Sequence, residues 1–123
     1  MAAQTPAPPA PPARILVFAR EFQFQFSRRV VPAGRIRLQL KNIGEDDHDL
    51  TIVGPKGNVR AWTGVIHPDG VGEIRARLAA GRYLVICQVA DHQAHGMRTT
   101  LTVTAPKKKK KKKATPATAA ARA

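Results

Sequence analysis

Hydrophobic and polar residues alternate with a period of two through most of the middle of this chain. Phe22, Phe24 and Phe26 are separated by Gln23 and Gln25. Ile36, Leu38 and Leu40 alternate with Arg35, Arg37, Gln39 and Lys41, and Ile74, Ala76 and Leu78 alternate with Glu73, Arg75 and Arg77. A strand points successive side chains to opposite faces, so each stretch reads as one half-buried strand. Arg14–Arg20 is a short apolar run, and Asp49–Val53, Trp62–Ile66, Arg82–Val89 and Arg98–Thr104 also have β character. Turn-forming stretches separate them: Val31 to Gly34 (VPAG), Gly54 to Asn58 (GPKGN), His67 to Gly70 (HPDG) and Ala79 to Gly81 (AAG). No helical stripe interrupts the pattern. The expected fold is all-β, a Greek-key β-sandwich or barrel of about seven to eight strands. Trp62 and the three alternating Phe are expected in the core. Tyr83 is expected to pack there with its hydroxyl hydrogen-bonded.

The two ends break the pattern. Residues 1–13 (MAAQTPAPPAPPA) hold five of the ten prolines and no charge, which favours an extended linker. Residues 106–123 contain seven consecutive lysines, Lys107 to Lys113, whose mutual repulsion favours a disordered tail. One domain is therefore expected over residues 14–105. The net charge of +13 divides accordingly, with +5 up to residue 106 and +8 in the tail. Most of the basicity says nothing about the domain. The domain also lacks the interleaved aromatic and basic residues that stack bases, so nucleic acid is not an expected partner. The tail reads as a tether to an anionic surface such as a membrane.

Length excludes a large multidomain enzyme, and one Cys excludes a disulfide framework, a four-cysteine zinc ribbon and an iron–sulfur cluster. No run reaches the ~20 apolar residues of a membrane-spanning helix. The first residues lack the basic and apolar regions of a secretory signal. Either the chain stays in the cytoplasm or the start lies upstream of Met1. The Pro/Ala stretch looks like the spacer after an export signal or lipid anchor, so a periplasmic or other extracytoplasmic location, with possible membrane association, is expected.

The stretch richest in chemistry is Cys87 to Met97 (CQVADHQAHGM), which lies between two expected strands. A thiol, imidazole and thioether in one loop form a soft nitrogen–sulfur donor set that suits copper, and two His, one Cys and a weak axial Met is the blue-copper arrangement. Upstream, His48 opens a strand after the turn Asn42 to Asp47 and could come to the same end. His95, inside the loop, is an alternative to His92 or Met97. His67, beside Pro68 in a turn, is expected to be solvated.

At this point the chain resembles the cupredoxins, the type 1 copper electron carriers that include plastocyanin, azurin and rusticyanin. The resemblance rests on Val31-Pro-Ala-Gly34, on Asn42-x-Gly44-x-x-x-His48, and on Gly81-x-Tyr83-x-x-x-Cys87 followed by four residues to His92 and four more to Met97. That last spacing is similar to rusticyanin-like members. The resemblance covers most of Phe22–Val103 and neither tail. It implies one type 1 copper ion, with His48, Cys87 and His92 as equatorial ligands and Met97 as the axial one. His95 is then a surface residue. It also implies outer-sphere transfer of one electron to redox partner proteins of an electron-transport chain through His92, by a monomer that is not an enzyme. A copper carrier or storage protein on the same fold, using His95 and nearby carboxylates as well, is the alternative.

Two positions depart from the family pattern. Asp49 stands where Asn is common and helps tie the two ligand loops together, and Asp91 stands where Gly or Pro is frequent. With Glu45, Asp46 and Asp47 they bring five of the eight acids next to expected ligands. Such an acidic collar is expected to favour Cu(II) and lower the reduction potential.

Overall fold

Period-two alternation gives every strand one apolar face, and two sheets bury those faces against each other. The computed structural model describes residues 11–105. The lysine tail and the first ten residues of the expected linker lie outside the described residues. The strands are β1 (Ala13–Arg20), β2 (Gln23–Phe26), β3 (Val30–Pro32), β4 (Gly34–Asn42), β5 (Thr51–Val53), β6 (Val59–Trp62), β7 (Val71–Leu78), β8 (Gly81–Ile86) and β9 (Arg98–Thr104). One sheet has the order β2-β1-β4-β7 and the other β3-β9-β8-β5-β6. Both are mixed, because β1 runs parallel to β4 and β3 parallel to β9. Ile15, Val17, Ile36, Leu38, Leu40 and Ile74 from the first sheet meet Val31, Ile52, Val85, Leu101 and Val103 from the second. Among the described residues no helix is long and apolar enough to cross a membrane.

Three details differ from the sequence expectation. Nine strands are present rather than seven or eight. The additional one, β3, comes from a stretch read as a turn. Val30 and Val31 pair with Thr102 and Val103, and Pro32 is tolerated because β3 lies at a sheet edge. The strand expected at Trp62–Ile66 lies earlier, at Val59–Trp62, and Ile66 returns only as an isolated bridge to His48. Trp62 is 55% exposed rather than in the core. Phe24 is buried as expected, whereas Phe22 and Phe26 are only partly buried and pack at its margin.

The topology brings eight strand ends to one end of the sandwich. β1 ends there at Arg20, β4 at Asn42, β6 at Trp62 and β8 at Ile86. β2, β5, β7 and β9 start there, in register with those ends. At the opposite end Tyr83 is buried and its hydroxyl donates to the Ala79 carbonyl at 2.7 Å, locking the β7–β8 turn. Because Ala79 is exposed, water can replace that bond. Tyr83→Phe is therefore expected to lower stability by only about 1 kcal/mol, measured by urea unfolding of the metal-free protein, with the visible spectrum of any metal-loaded form unchanged.

Candidate metal centre

Cys87 follows β8 directly and Met97 precedes β9, so the loop between them joins two antiparallel neighbours. The Cys87 N–H donates to the Met97 carbonyl at 3.1 Å and the Met97 N–H to the His92 carbonyl at 3.2 Å, which pinches the loop shut. Gln93–His95 forms one 3-10 turn, ended by Gly96 at φ 107°, a left-handed conformation that favours glycine. The side chains of Cys87, His92 and Met97 are all buried.

His48 arrives from the other strand pair. Asn42, fully buried at the end of β4, organises its approach. The Asn42 Nδ2 donates to the carbonyls of Asp46 and Ile66, both at 2.8 Å, and Oδ1 accepts from the Gly44 N–H at 2.8 Å. His48 and Ile66 then exchange both backbone hydrogen bonds, at 3.0 and 2.7 Å. This accounts for the Asn42-x-Gly44-x-x-x-His48 spacing, since the amide side chain spans the turn and fixes where His48 emerges.

One ligand atom from each of His48, Cys87 and His92 falls within 4.8 Å of the others, and all three residues are buried. Both rings turn Nδ1 toward the thiol, with Cys87 Sγ 3.9 Å from His48 Nδ1 and 3.6 Å from His92 Nδ1. Both Nε2 atoms face carboxylates. His48 Nε2 lies 2.9 Å from Glu21 Oε2, and His92 Nε2 lies 3.4 Å from Asp46 Oδ2. A neutral ring that donates Nε2–H to a carboxylate keeps its Nδ1 lone pair free for a cation. Burial pushes the Cys87 thiol above its ordinary pKa, and the neighbouring Asp49 charge adds to the effect. The set of two imidazoles and one thiol, closed off from water, fits copper. Met97 is fully buried, and its backbone is bonded to Cys87 and His92.

Glu21 is the functional residue that sequence reasoning missed. It follows β1, and its carboxylate accepts from the N–H groups of Asp46, at 2.7 Å, and Glu45, as well as facing His48. The Asp46 N–H, with those of Glu45 and the His48 ring, holds its pKa down to about 2 against the opposing effect of partial burial. A Cβ on Gly44 would lie 2.6 Å from Glu21 Oε2, so glycine there makes room for the carboxylate. The only trace in the sequence was an acid before the Phe alternation.

The other sequence candidates separate. Asp49 is buried, and its carboxylate accepts from the Gln88 N–H at 2.6 Å and from Trp62 Nε1 at 2.8 Å, so it ties the His48 segment to the Cys87 segment. His95 lies outside the cluster, paired with Asp91 at 3.0 Å and stacked on Phe22 with ring centroids 4.8 Å apart. Its bond lowers the Asp91 pKa. His67 is exposed and pairs with Asp47 at 2.8 Å. Phe22 also meets the His92 ring edge-on at 5.1 Å, covering the ligand from the side of β2.

No sequence-family model matches this chain, and no curated protein aligns with it. Solved structures do match. Reduced auracyanin from the photosynthetic bacterium Roseiflexus castenholzii is 23% identical with a TM-score of 0.66, over 75% of this chain and 97% of that one. Auracyanin A from Chloroflexus aurantiacus, a "blue" copper protein, is 21% identical with a TM-score of 0.65, over 76% and 100%. Reduced rusticyanin is 20% identical with a TM-score of 0.57, over 77% and 82%. The chain has the cupredoxin fold.

The Glu21 arrangement has a testable consequence. Its depressed pKa means that the stability it contributes is complete above the ordinary value of 4.5 and is lost as pH falls toward about 2. Glu21→Gln should lower the stability of the metal-free protein by about 1–2 kcal/mol at neutral pH and remove that acid-dependent component, read from urea unfolding across pH. Gly44→Ala should do the same by displacing an intact carboxylate. A Gly44→Ala protein as stable as wild type would refute the packing argument.

Proposed function

We propose that this chain is a copper protein that carries single electrons, with His48, Cys87 and His92 holding one copper ion and Met97 as a weak axial ligand. The observation that carries this reading is the convergence of two inward-facing Nδ1 atoms and one buried thiol within 4.8 Å. The fold shared with auracyanin and rusticyanin supports it. When bound, copper supplies a one-electron Cu(II)/Cu(I) couple.

The protein's part is to keep the donors in place. His48 is clamped by Glu21 on one side and by Ile66 through the backbone. Cys87 and Met97 hold one another across the base of the loop. Donors fixed in this way need to move little when the charge of the site changes, which favours electron transfer. His92 is the imidazole nearer the surface, and its Nε2 faces the half-exposed Asp46. A redox partner of an electron-transport chain would approach there. No substrate is transformed. The working unit is one domain over residues 14–105, in an extracytoplasmic compartment, with Lys107 to Lys113 aiding attachment to anionic surfaces. The copper-carrier alternative relied on His95 joining the ligands. With His95 held by Asp91 and Phe22 outside the cluster, the electron carrier is the better-supported reading.

The deciding experiment adds Cu(II) to the metal-free protein beside Cys87→Ser. An intense visible band in the wild type, missing from the variant and retained through redox cycles against a chelator, is expected. A colourless wild type overturns the proposal, and copper lost readily to the chelator points to the carrier. The acidic rim formed by Glu45, Asp46, Asp47 and Asp91 should also lower the midpoint potential, so Asp47→Asn combined with Asp91→Asn should raise it. A potential unchanged or lowered in that double variant contradicts the rim's effect.

A further inference from the structure

The outer face of the β2-β1-β4-β7 sheet is strongly basic. Seven of the thirteen basic residues that precede Lys107 stand on it, in the exposed positions of β1, β4 and β7, and Glu73 is the one acid among the described residues of those strands. The register sets Arg14, Arg37 and Arg75 side by side across three strands and puts Arg35 opposite Arg77. Like charges directly opposite one another destabilise a sheet. Glu73 answers two of them, bonding Arg37 at 2.9 Å and also Arg75, and both bonds lower its pKa. Between the rows runs an open groove of about 360 Å³ lined by Pro12 and the arginines at 35, 37, 75 and 77.

Arg14, Arg35, Arg37, Arg75 and Arg77 lie in the half of the sheet remote from the metal centre, with Arg20 and Lys41 nearer to it. The acids Glu21, Glu45, Asp46, Asp47 and Asp91 surround the metal end instead, so the molecule is electrically polarised. Beside the arginines on the same face, Leu16 is 42% exposed and Phe18 36%. Guanidinium forks match phosphate oxygens. Exposed aliphatic and aromatic side chains among cations are the composition of a surface that settles into a headgroup layer. The cations stand in cross-strand rows over three strands and flank an open groove rather than closing around it, which suits a field of headgroups better than one acidic protein segment.

We propose that this sheet face docks on an anionic lipid surface. Phosphates sit among Arg14, Arg35, Arg37, Arg75 and Arg77, Leu16 and Phe18 enter the interface, and the metal end stays turned to the aqueous side. The inference is independent of copper.

The test uses the full chain with its lysines intact, sedimented with phosphatidylcholine vesicles with and without about 30% phosphatidylglycerol at about 0.1 M salt. Wild type should bind only the anionic vesicles. Arg75→Gln combined with Arg77→Gln should weaken that binding at least tenfold, with thermal unfolding unchanged. Equal binding by the double variant assigns attachment to the tail and overturns the proposal. Independently, Phe18→Trp should gain blue-shifted emission on the anionic vesicles, while Trp62 of the wild type, on the other sheet, keeps its emission. A shift of Trp62, or none in Phe18→Trp, overturns the assigned face. Retention on polyglutamate without vesicle binding identifies an acidic protein partner and overturns it too.

Discussion

Two imidazoles buried beside a thiol each leave a second ring nitrogen that water cannot reach freely, and meeting that demand organises the whole end of the sandwich. An unmet buried donor costs about 1–3 kcal/mol, so each Nε2 needs an acceptor. For His48 the acceptor is Glu21, which is itself tolerable only because two backbone N–H groups of the Glu45–Asp46 turn stabilise its charge. That turn has its shape because Asn42 spans it, and it admits the carboxylate because Gly44 has no side chain. The chain of dependence runs from one ring nitrogen to five residues, one in the turn after β1, one at the end of β4 and three in the loop that follows it. His92 Nε2 only faces a carboxylate, that of Asp46, farther away at 3.4 Å and more exposed. The two ligands are therefore unequal, with His48 rigidly held and His92 near the surface.

The same arrangement separates charge along the molecule. At the metal end Glu21 accepts from His48, Asp49 accepts from the Gln88 N–H, and Asp46 faces His92. The outward positions of β4 and β7 carry no such duty, and arginine fills them to a density that Glu73 only partly offsets. The charge of +5 up to residue 106 thus hides two opposite surfaces, and the sign met by a partner depends on which end it approaches.

The sheets were legible because alternation is a local signal. β1, β4 and β7 fall where the pattern places them, to within a residue or two. β3 was not legible, because three residues cannot show a period and Pro32 argues for a turn until the parallel partner β9 is known. Cys87, His92 and Met97 announced themselves by chemistry packed into eleven residues. Glu21 did not, because its partner lies 27 residues away and only the β1–β2 connection brings it near. Trp62 was misplaced for a similar reason. Residue type argued for the core, while its single donor had a partner that sequence could not show.

That partner, Asp49, explains why a carboxylate stands where an amide is usual. Two donors converge on it, the Gln88 N–H and Trp62 Nε1, one on each oxygen. An amide would turn its NH₂ toward one of them, so the aspartate and the exposed tryptophan are a matched pair. The consequence is a carboxylate close to Cys87, whose charge adds to the burial that already makes the thiol harder to ionise. In the metal-free protein this opposes thiolate formation. If copper binds there as proposed, the same charge beside the thiolate would favour the dication over the monocation, and that effect cannot be separated from the tie the carboxylate makes between the two segments.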